Sequence, residues 1–160
     1  MPVCRLRIDI DTQRLRLLEG GRLRLDYPVS TARNGVGECF GSECTPRGRH
    51  RIVLKIGDGC AENTVFVGRR PTGERYTPAL AARFPDRDWI LTRILWLGGC
   101  EPGRNRGGDC DTRRRFIYIH GSPDSVEMGV PGSHGCIRMR NADLLELFPR
   151  VQRGMRVDIV

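Results

Sequence analysis

The amino-acid sequence predicts a mainly β fold, a sandwich or barrel-like sheet with one or two short helices. Short runs of alternating apolar and polar residues open the chain, and this period of two is typical of strands with one buried face. Glycine and proline turn signals separate these runs at hairpin spacing. The 160 residues contain no internal repeat, low-complexity tract or linker, which indicates one domain over residues 1–160.

The N-terminal half reads as a series of hairpin-connected strands. Glu19-Gly20-Gly21 separates two alternating runs and predicts a tight turn. A glycine-rich loop at 35–41 and a turn at 45–48 interrupt the pattern. The strands predicted in this half cover residues 6–10, 14–17, 22–25, 27–31, 51–56 and 64–67.

The C-terminal half predicts fewer and more apolar elements. Residues 69–88 are mixed and hold one short helix at 79–83, whereas 89–97 is the most apolar stretch and predicts a central strand or strand pair. A long glycine-rich loop follows at 98–111, and loops of this length are often functional. We expect a buried strand over 116–119 that ends at His120, and a closing strand over 156–160.

One amphipathic helix is predicted over residues 141–148. Asn141 can cap its first turn and Asp143 suits the positive end of the helix dipole. Leu144, Leu145 and Phe148 form its apolar face.

The chain is basic, with 27 Lys and Arg residues against 19 Asp and Glu residues and a net charge of +8. Nearly all of this charge is arginine, because Lys55 is the only lysine. The arginines punctuate the strands instead of forming one block, which favours a solvated basic surface over a nucleic-acid interface. The run Arg113-Arg114-Arg115 stands just before the motif described below and is expected to influence the potential there.

Compartment and thiol chemistry stay open at this stage. The N-terminus enters a strand pattern directly, without the apolar region of a signal peptide, and no apolar run approaches the length of a membrane helix. Either the protein is cytosolic, or the sequence starts after a processing site, or export follows another route. Of the seven cysteines, Cys39 with Cys44 and Cys100 with Cys110 are close enough in sequence to form bridges or to stay reduced.

Two short segments carry the chemistry. The first ends in Ile119-His120-Gly121 and the second is Ser133-His134-Gly135-Cys136-Ile137-Arg138. A cysteine nucleophile needs a nearby base or positive charge, and a histidine at the end of a buried strand can supply one. Gly135 permits a close backbone approach, so the N–H groups around Gly135 and Cys136 can face a developing oxyanion. We therefore predict acyl transfer with Cys136 as nucleophile and His120 as base.

Other interpretations of these residues are weaker. Cys136 with the two nearby histidines can bind zinc if Cys100 or Cys110 supplies a further ligand, but only one residue separates His134 from Cys136, where zinc motifs usually leave two or more. We predict no metal and no cofactor. His50, between two arginines, is interpreted as a satisfied core or surface histidine.

The motif resembles the signature of the L,D-transpeptidase catalytic domain (YkuD-type): a histidine, a variable gap, then Ser/Thr-His-Gly-Cys, a hydrophobic residue and Asn or Arg. In this chain His120 is followed, after 12 residues, by the segment 133–138. Residues 27–31, 45–48 and 154–157 also resemble the family, so the likeness covers nearly the whole chain, with 57–115 its least similar part. The resemblance implies an L,D-transpeptidase-like fold.

The resemblance further implies a role for each site residue. Cys136 would attack a meso-diaminopimelate carbonyl in a tetrapeptide stem of peptidoglycan and release D-alanine. His120 would be the base, oriented by the main-chain carbonyl of Gly121, whose side-chain identity should matter little. Within the second segment, His134 and Gly135 would shape the nucleophile turn and oxyanion site.

Two further positions of the signature complete the set of predicted site residues. Ser133 belongs to the same substrate and oxyanion region, and Arg138 would brace the site or meet a substrate carboxylate. The resemblance also implies carbapenem-type β-lactams as inhibitors and a location in the periplasm or cell wall.

Three alternatives stay open. The same residues can support an L,D-carboxypeptidase or related amide hydrolase that trims or recycles wall peptides, in which water takes the acyl group. A non-catalytic basic module would bind cell-wall glycan or nucleic acid in a salt-sensitive way. A zinc-stabilised domain would unfold when the metal is chelated.

Overall fold

The computed structural model describes residues 2–160 as ten strands and two short α-helices, which confirms the mainly β, barrel-like prediction. The helices are α1 (Pro78–Arg83) and α2 (Asn141–Leu147). Single 3-10 turns lie at Gly108–Cys110 and Phe148–Arg150. The strands are β1 (Cys4–Asp9), β2 (Arg14–Glu19), β3 (Arg22–Pro28), β4 (Gly48–Ile56), β5 (Thr64–Val67), β6 (Arg70–Arg75), β7 (Ile90–Gly99), β8 (Tyr118–Ser122), β9 (Ile137–Arg140) and β10 (Arg156–Ile159).

All ten strands belong to one curled sheet that branches at β7. Its main path runs β3-β2-β1-β10-β4-β7-β5-β6, while β8 pairs with β7 and carries β9 on its other side. Two pairings are parallel, β1 with β10 and β8 with β9, and the rest are antiparallel. The long strand β7 therefore connects the N-terminal hairpins to the strands that carry the motif.

The alternating runs form the hairpins that their pattern predicted. Leu6 and Ile8 of β1 face Leu17 and Leu15 of β2, and all four side chains are buried. Gly20 and Gly21 connect β2 to β3 with φ values of 56° and 80°, a conformation that favours glycine at both positions. The apolar faces of these strands join one core with Leu144 and Leu147 of α2 and with β7, β8 and β9.

Several boundaries differ from the sequence prediction, and one strand was not predicted. The strand expected over 27–31 stops at Pro28, where β3 ends, and Ser30 and Ala32 form only isolated bridges. The strand expected over 116–119 begins at Tyr118 and continues past His120 to Ser122, because Gly121 and Ser122 pair with Met139 and Arg140 of β9. The loop expected from residue 98 starts after Gly99, since β7 continues that far. Strand β6 was missed because Pro71 and Gly73 obscure its pattern, and an edge strand tolerates both residues.

The predicted cap of the C-terminal helix is wrong. Arg140 occupies the N-cap position without a side-chain cap, and Asn141 is the first helical residue. The Asn141 amide is buried and donates to the Ser122 carbonyl and to Asn63 Oδ1, each at 3.0 Å. The helix itself ends at Leu147, and Phe148 opens the following 3-10 turn.

All seven cysteines carry free thiols, so neither of the two bridges considered from the sequence is formed. Within residues 2–160 no helix is long and apolar enough to cross a membrane.

Candidate active site

The parallel pairing of β8 with β9 brings the two chemical segments together. His120 stands opposite Arg138 in the ladder, and Cys136 immediately precedes β9. A cavity of about 430 Å³ opens beside them. Its lining includes four of the motif side chains predicted for the site, His120, Cys136, Ser133 and His134.

His120 is fixed by its own strand. Its side chain is 1% exposed, and Nδ1 lies 2.7 Å from the Gly121 carbonyl oxygen. Because a carbonyl only accepts, Nδ1 carries the proton and Nε2 keeps a free lone pair. Burial lowers the pKa of His120, partly opposed by the Gly121 hydrogen bond and by Asp88. The imidazole is therefore neutral, the form that can accept a proton.

Gly121 is too tightly packed to accept a side chain without displacing its neighbours, contrary to the expectation that its identity matters little. A Cβ at this position would lie 2.6 Å from the Leu91 carbonyl oxygen and would also collide with Asn141 Oδ1. The residue has no positive φ, so the restriction is steric. The carbonyl that orients His120 is thus presented by a tightly packed point between β7 and α2.

The Cys136 thiol is partly buried between two backbone groups. It accepts from the Tyr118 N–H at 3.3 Å and donates to the Phe116 carbonyl at 3.4 Å. Burial raises the pKa of Cys136 to about 12, opposed by the Tyr118 hydrogen bond and by the charges of Arg115 and Arg138. The resting pair is therefore a neutral thiol and a neutral imidazole.

No hydrogen bond joins the Cys136 sulfur to the His120 imidazole in this arrangement. Both hydrogen bonds of the Cys136 thiol go to the backbone. Catalytic hydrogen bonds are often long without substrate and shorten only in the reacting complex. The two groups nevertheless line the same cavity.

The turn before Cys136 is held by two hydroxyl groups. Ser133 Oγ donates to the Cys136 carbonyl at 2.5 Å and accepts from the Gly135 N–H at 3.1 Å. Thr45 Oγ1 is buried, donates to the Gly135 carbonyl and accepts from the Ala32 N–H, each at 2.9 Å. Gly135 has a φ of 130°, which explains why this position favours glycine.

These contacts exclude one of the two backbone N–H groups that were predicted to donate to the oxyanion. The Gly135 N–H is already used by Ser133. The Cys136 N–H has no acceptor among residues 2–160. It is therefore a backbone donor of this turn that is available to a substrate oxygen.

Arg138 and His134 differ in their position. Arg138 lies 3.5 Å from Ser30 Oγ through Nη2, its buried Nε has no partner within residues 2–160, and it does not line the cavity. Of the two roles considered from the sequence, this position favours the brace. His134 is 68% exposed at the cavity edge, with Nδ1 4.0 Å from Asp88 Oδ2.

The cavity residues that sequence reasoning missed include Arg69, Asp88 and Phe116. Arg69 sits at the turn between β5 and β6 and donates to the Tyr118 hydroxyl at 3.1 Å. Its guanidinium lies 4.9 Å from the Trp96 ring centre and 4.8 Å from that of Phe116. The aromatic partners come from distant segments, so no local pattern indicated this arrangement.

Strained backbone surrounds the site. Arg69 and Phe116 have φ values of 65° and 58°, and the buried β-branched Thr92 has a φ of 76° where β7 shifts register against β8. Positive φ is rare for such residues and tends to occur at functional sites. For Phe116 this conformation accompanies the carbonyl that accepts from Cys136.

The zinc site considered from the sequence is not assembled. No three His, Cys, Asp or Glu side chains in the described part of the chain come together in a metal-binding group. Cys100 and Cys110 do not line the cavity that holds Cys136.

Comparison with known proteins agrees with this geometry. A model of the L,D-transpeptidase catalytic domain matches residues 5–159. The probable L,D-transpeptidase YbiS of Escherichia coli K12 is 31% identical over 124 residues, which are 72% of this chain and 40% of YbiS. The matched region thus covers well under two thirds of the length of this relative.

Solved structures share the fold at low sequence identity. L,D-transpeptidase 3 from Mycobacterium tuberculosis, in complex with a faropenem-derived adduct, has a TM-score of 0.60 at 16% identity and covers 99% of this chain and 60% of its own. An L,D-transpeptidase from Xylanimonas cellulosilytica has a TM-score of 0.57 at 21% identity, and the match covers 99% of this chain and 60% of the other. At these identities the likeness establishes the fold.

Proposed function

The chain belongs to the L,D-transpeptidase catalytic-domain family, and from that premise we propose that it transfers acyl groups between peptidoglycan stem peptides through Cys136. The observation that carries the proposal is the shared cavity of the Cys136 thiol and the His120 imidazole. The orientation of His120 by the Gly121 carbonyl supports it, because that contact leaves Nε2 as the proton acceptor. As family members act on the cell wall, we propose the same site of action here.

The first half-reaction forms a thioester. As Cys136 Sγ attacks the donor carbonyl carbon, His120 Nε2 takes the thiol proton, and an S–C bond forms. The tetrahedral intermediate then collapses, the C–N bond to the terminal D-alanine breaks, and the imidazolium returns its proton to the leaving amine. The imidazole is neutral again at the end of this step.

The second half-reaction releases the enzyme. An amine of a second stem peptide attacks the thioester carbon and gives its proton to His120. The C–S bond breaks, the sulfur regains a proton from the imidazolium, and a new amide joins the two peptides. Water at the same position would instead give a carboxypeptidase, with the same residues in the same roles.

The neutral resting pair explains why a positioned base is required. With a pKa of about 12, the Cys136 thiol supplies little thiolate at neutral pH. Loss of its proton must therefore accompany attack, and His120 is the cavity's neutral imidazole with a buried, oriented ring. We assign the Cys136 N–H as a donor to the oxyanion, with Ser133, Gly135 and Thr45 holding the turn.

Intact-protein mass spectrometry after exposure to a carbapenem tests the proposal. We expect one covalent adduct on the wild type, mapped by peptide digestion to Cys136, and none on Cys136→Ser. His120→Ala should acylate at least about a hundredfold more slowly, the lower range for loss of a general base. An adduct on another cysteine, or equal rates for the wild type and His120→Ala, would refute these assignments.

A further inference from the structure

A second cavity of about 480 Å³ adjoins the site and is lined by four arginines, Arg51, Arg106, Arg113 and Arg114. We call it the arginine groove. Gly98 and Gly99 line it where β7 pairs with β4, so a stretch of sheet without side chains forms part of its wall. Trp96 and Phe116 complete the side next to the catalytic cavity.

The groove carries a net positive charge, because four arginines and one acidic residue line it. Within residues 2–160 none of the four guanidinium groups forms an ion pair or a hydrogen bond to the protein. The one acidic residue in the lining is Asp111. Its carboxylate accepts hydrogen bonds from the backbone N–H groups of Gly107 at 2.8 Å and Arg114 at 2.9 Å. Both carboxylate oxygens are therefore bonded to the backbone of the loop and not to a groove guanidinium group.

The groove and the catalytic cavity share a wall. Phe116 lines both, is 49% exposed, and its carbonyl accepts from the Cys136 thiol. Two guanidinium groups lie over the Trp96 ring. That of Arg69, in the catalytic cavity, is 4.9 Å from the ring centre, and that of Arg113, in the groove, is 5.4 Å from it. A third, smaller cavity contains Arg114, Phe116 and His134, and therefore continues the path around Phe116 to the site.

We propose that the arginine groove binds the carboxylates of the acceptor peptide, an inference that rests on the proposed function. The donor peptide occupies the catalytic cavity while it is bonded to Cys136, so the acceptor must approach the thioester from a neighbouring surface. The groove is such a surface, and unpaired guanidinium groups bind carboxylates in a bidentate geometry. No bond is made or broken in the groove, which holds the acceptor while its amine reaches the thioester.

The shape of the charged region favours a short peptide over nucleic acid. The four arginines surround one cavity beside the site, whereas nucleic-acid interfaces present a basic stripe that follows the phosphate backbone. A cavity of about 480 Å³ suits a few residues of peptide. Carboxylate density, and not length, should therefore decide which acceptors bind.

Calorimetry in the Cys136→Ala background measures acceptor binding without turnover. The probe is a short synthetic peptide with one side-chain amine and two free carboxylates, compared with the same peptide carrying both carboxylates as amides. The groove variant is R51Q/R113Q/R114Q. The control is R22Q/R150Q/R153Q, which makes the same charge change at exposed, unpaired arginines outside the groove.

We expect the groove variant to bind the carboxylate peptide at least about tenfold more weakly, because it loses charge-assisted hydrogen bonds between guanidinium groups and carboxylates. The control should stay within about twofold of the parent, and the amidated peptide should bind weakly to all three proteins. Thermal unfolding verifies that both triple variants are folded. If the groove variant does not fold, Arg113→Gln and Arg114→Gln are measured singly.

Three results would overturn the inference: unchanged affinity in the groove variant, an equal loss in the control, or equally tight binding of the amidated peptide. A groove variant that loses affinity for a single-stranded oligonucleotide but not for the peptide would assign the groove to nucleic acid. The carbapenem adduct described above reports on the proposed function separately. The two experiments can therefore fail independently: the acceptor can bind to a protein that is not acylated, and acylation can occur in a protein that does not bind the acceptor.

Discussion

The side-chain amide of Asn141 donates a 3.0 Å hydrogen bond to the Ser122 carbonyl oxygen, which ties helix α2 to the strand that carries His120. The same amide donates to Asn63 Oδ1, and its oxygen accepts from the Thr92 hydroxyl at 2.6 Å. One buried side chain thus joins β7, β8, α2 and the segment before β5 behind the site.

Asn141→Ala should destabilise the protein by about 1–3 kcal/mol, because it leaves buried polar partners without hydrogen bonds. Urea unfolding measures the loss. The control is Asn34→Ala, since Asn34 is exposed and makes one side-chain contact of 3.3 Å to the Ser42 carbonyl. Equal unfolding free energies for the two variants would show that the Asn141 network contributes little.

Gly121→Ala should cost about 1–3 kcal/mol of stability and slow the acylation of Cys136, because the new methyl group displaces the strand that orients His120. Denaturant unfolding and the rate of carbapenem adduct formation measure the two effects. Gly129→Ala is the control: nothing lies within 4 Å of its Cβ position, and only its φ of 87° opposes alanine. An acylation rate that falls equally in both variants would contradict the role of the packed glycine.

Thr45→Val should slow acylation and destabilise the protein by about 1–3 kcal/mol, since the Gly135 carbonyl and the Ala32 N–H both lose their buried partner. Thr45→Ser keeps the hydroxyl and should retain most of the acylation rate. Stopped-flow or time-resolved mass spectrometry compares the variants. A serine variant as slow as the valine variant would indicate that the methyl group, and not the hydroxyl, supports the turn.

Alkylation of Cys136 by iodoacetamide should accelerate steadily as the pH rises from 6 to 10, because burial raises the pKa of the thiol to about 12. Each pH unit below that pKa should change the rate by about tenfold. Peptide mapping separates Cys136 from the exposed Cys39, which serves as the internal comparison. A rate plateau at neutral pH would reveal a preformed thiolate and contradict the neutral pair.

His50 should make the folded state sensitive to acid. Its ring is buried between the Gly48 carbonyl at 3.0 Å and Thr112 Oγ1 at 2.8 Å, and burial lowers its pKa to about 4. The unfolded chain binds this proton at a pKa of about 6.5, so stability is complete above pH 6.5 and falls by about 3 kcal/mol between pH 6.5 and 4.

Urea unfolding at several pH values measures that decline, and His50→Gln should remove the part due to this residue. An NMR titration of the wild type reads the His50 resonances directly, even if the variant folds poorly. A midpoint near pH 6.5 would refute the depressed pKa. The sequence predicted a satisfied histidine in the core or at the surface, and the observed burial and hydrogen bonds place it in the core.

Local periodicity predicted most of the sheet because a strand with one buried face imposes a period of two on its own residues. Leu6 with Ile8, and Leu15 with Leu17, show this pattern and pair as expected. The edge strand β6 has no buried face to impose such a pattern, so Arg70–Arg75 was missed. Asn141 was predicted to be a helix cap because asparagine is a common N-cap residue. Its hydrogen-bond partners instead come from segments distant in sequence.

The sequence by itself determined the mainly β class and the identity of His120 and Cys136 as the candidate pair, since both depend on residues that are close along the chain. Only the tertiary structure decided that the Gly121 position is sterically closed and that Arg69 and Asp88 enter the cavity. It also decided that four unpaired arginines surround a second cavity. These features arise where separate strands meet, and packing between distant segments leaves no periodic signal in any one of them.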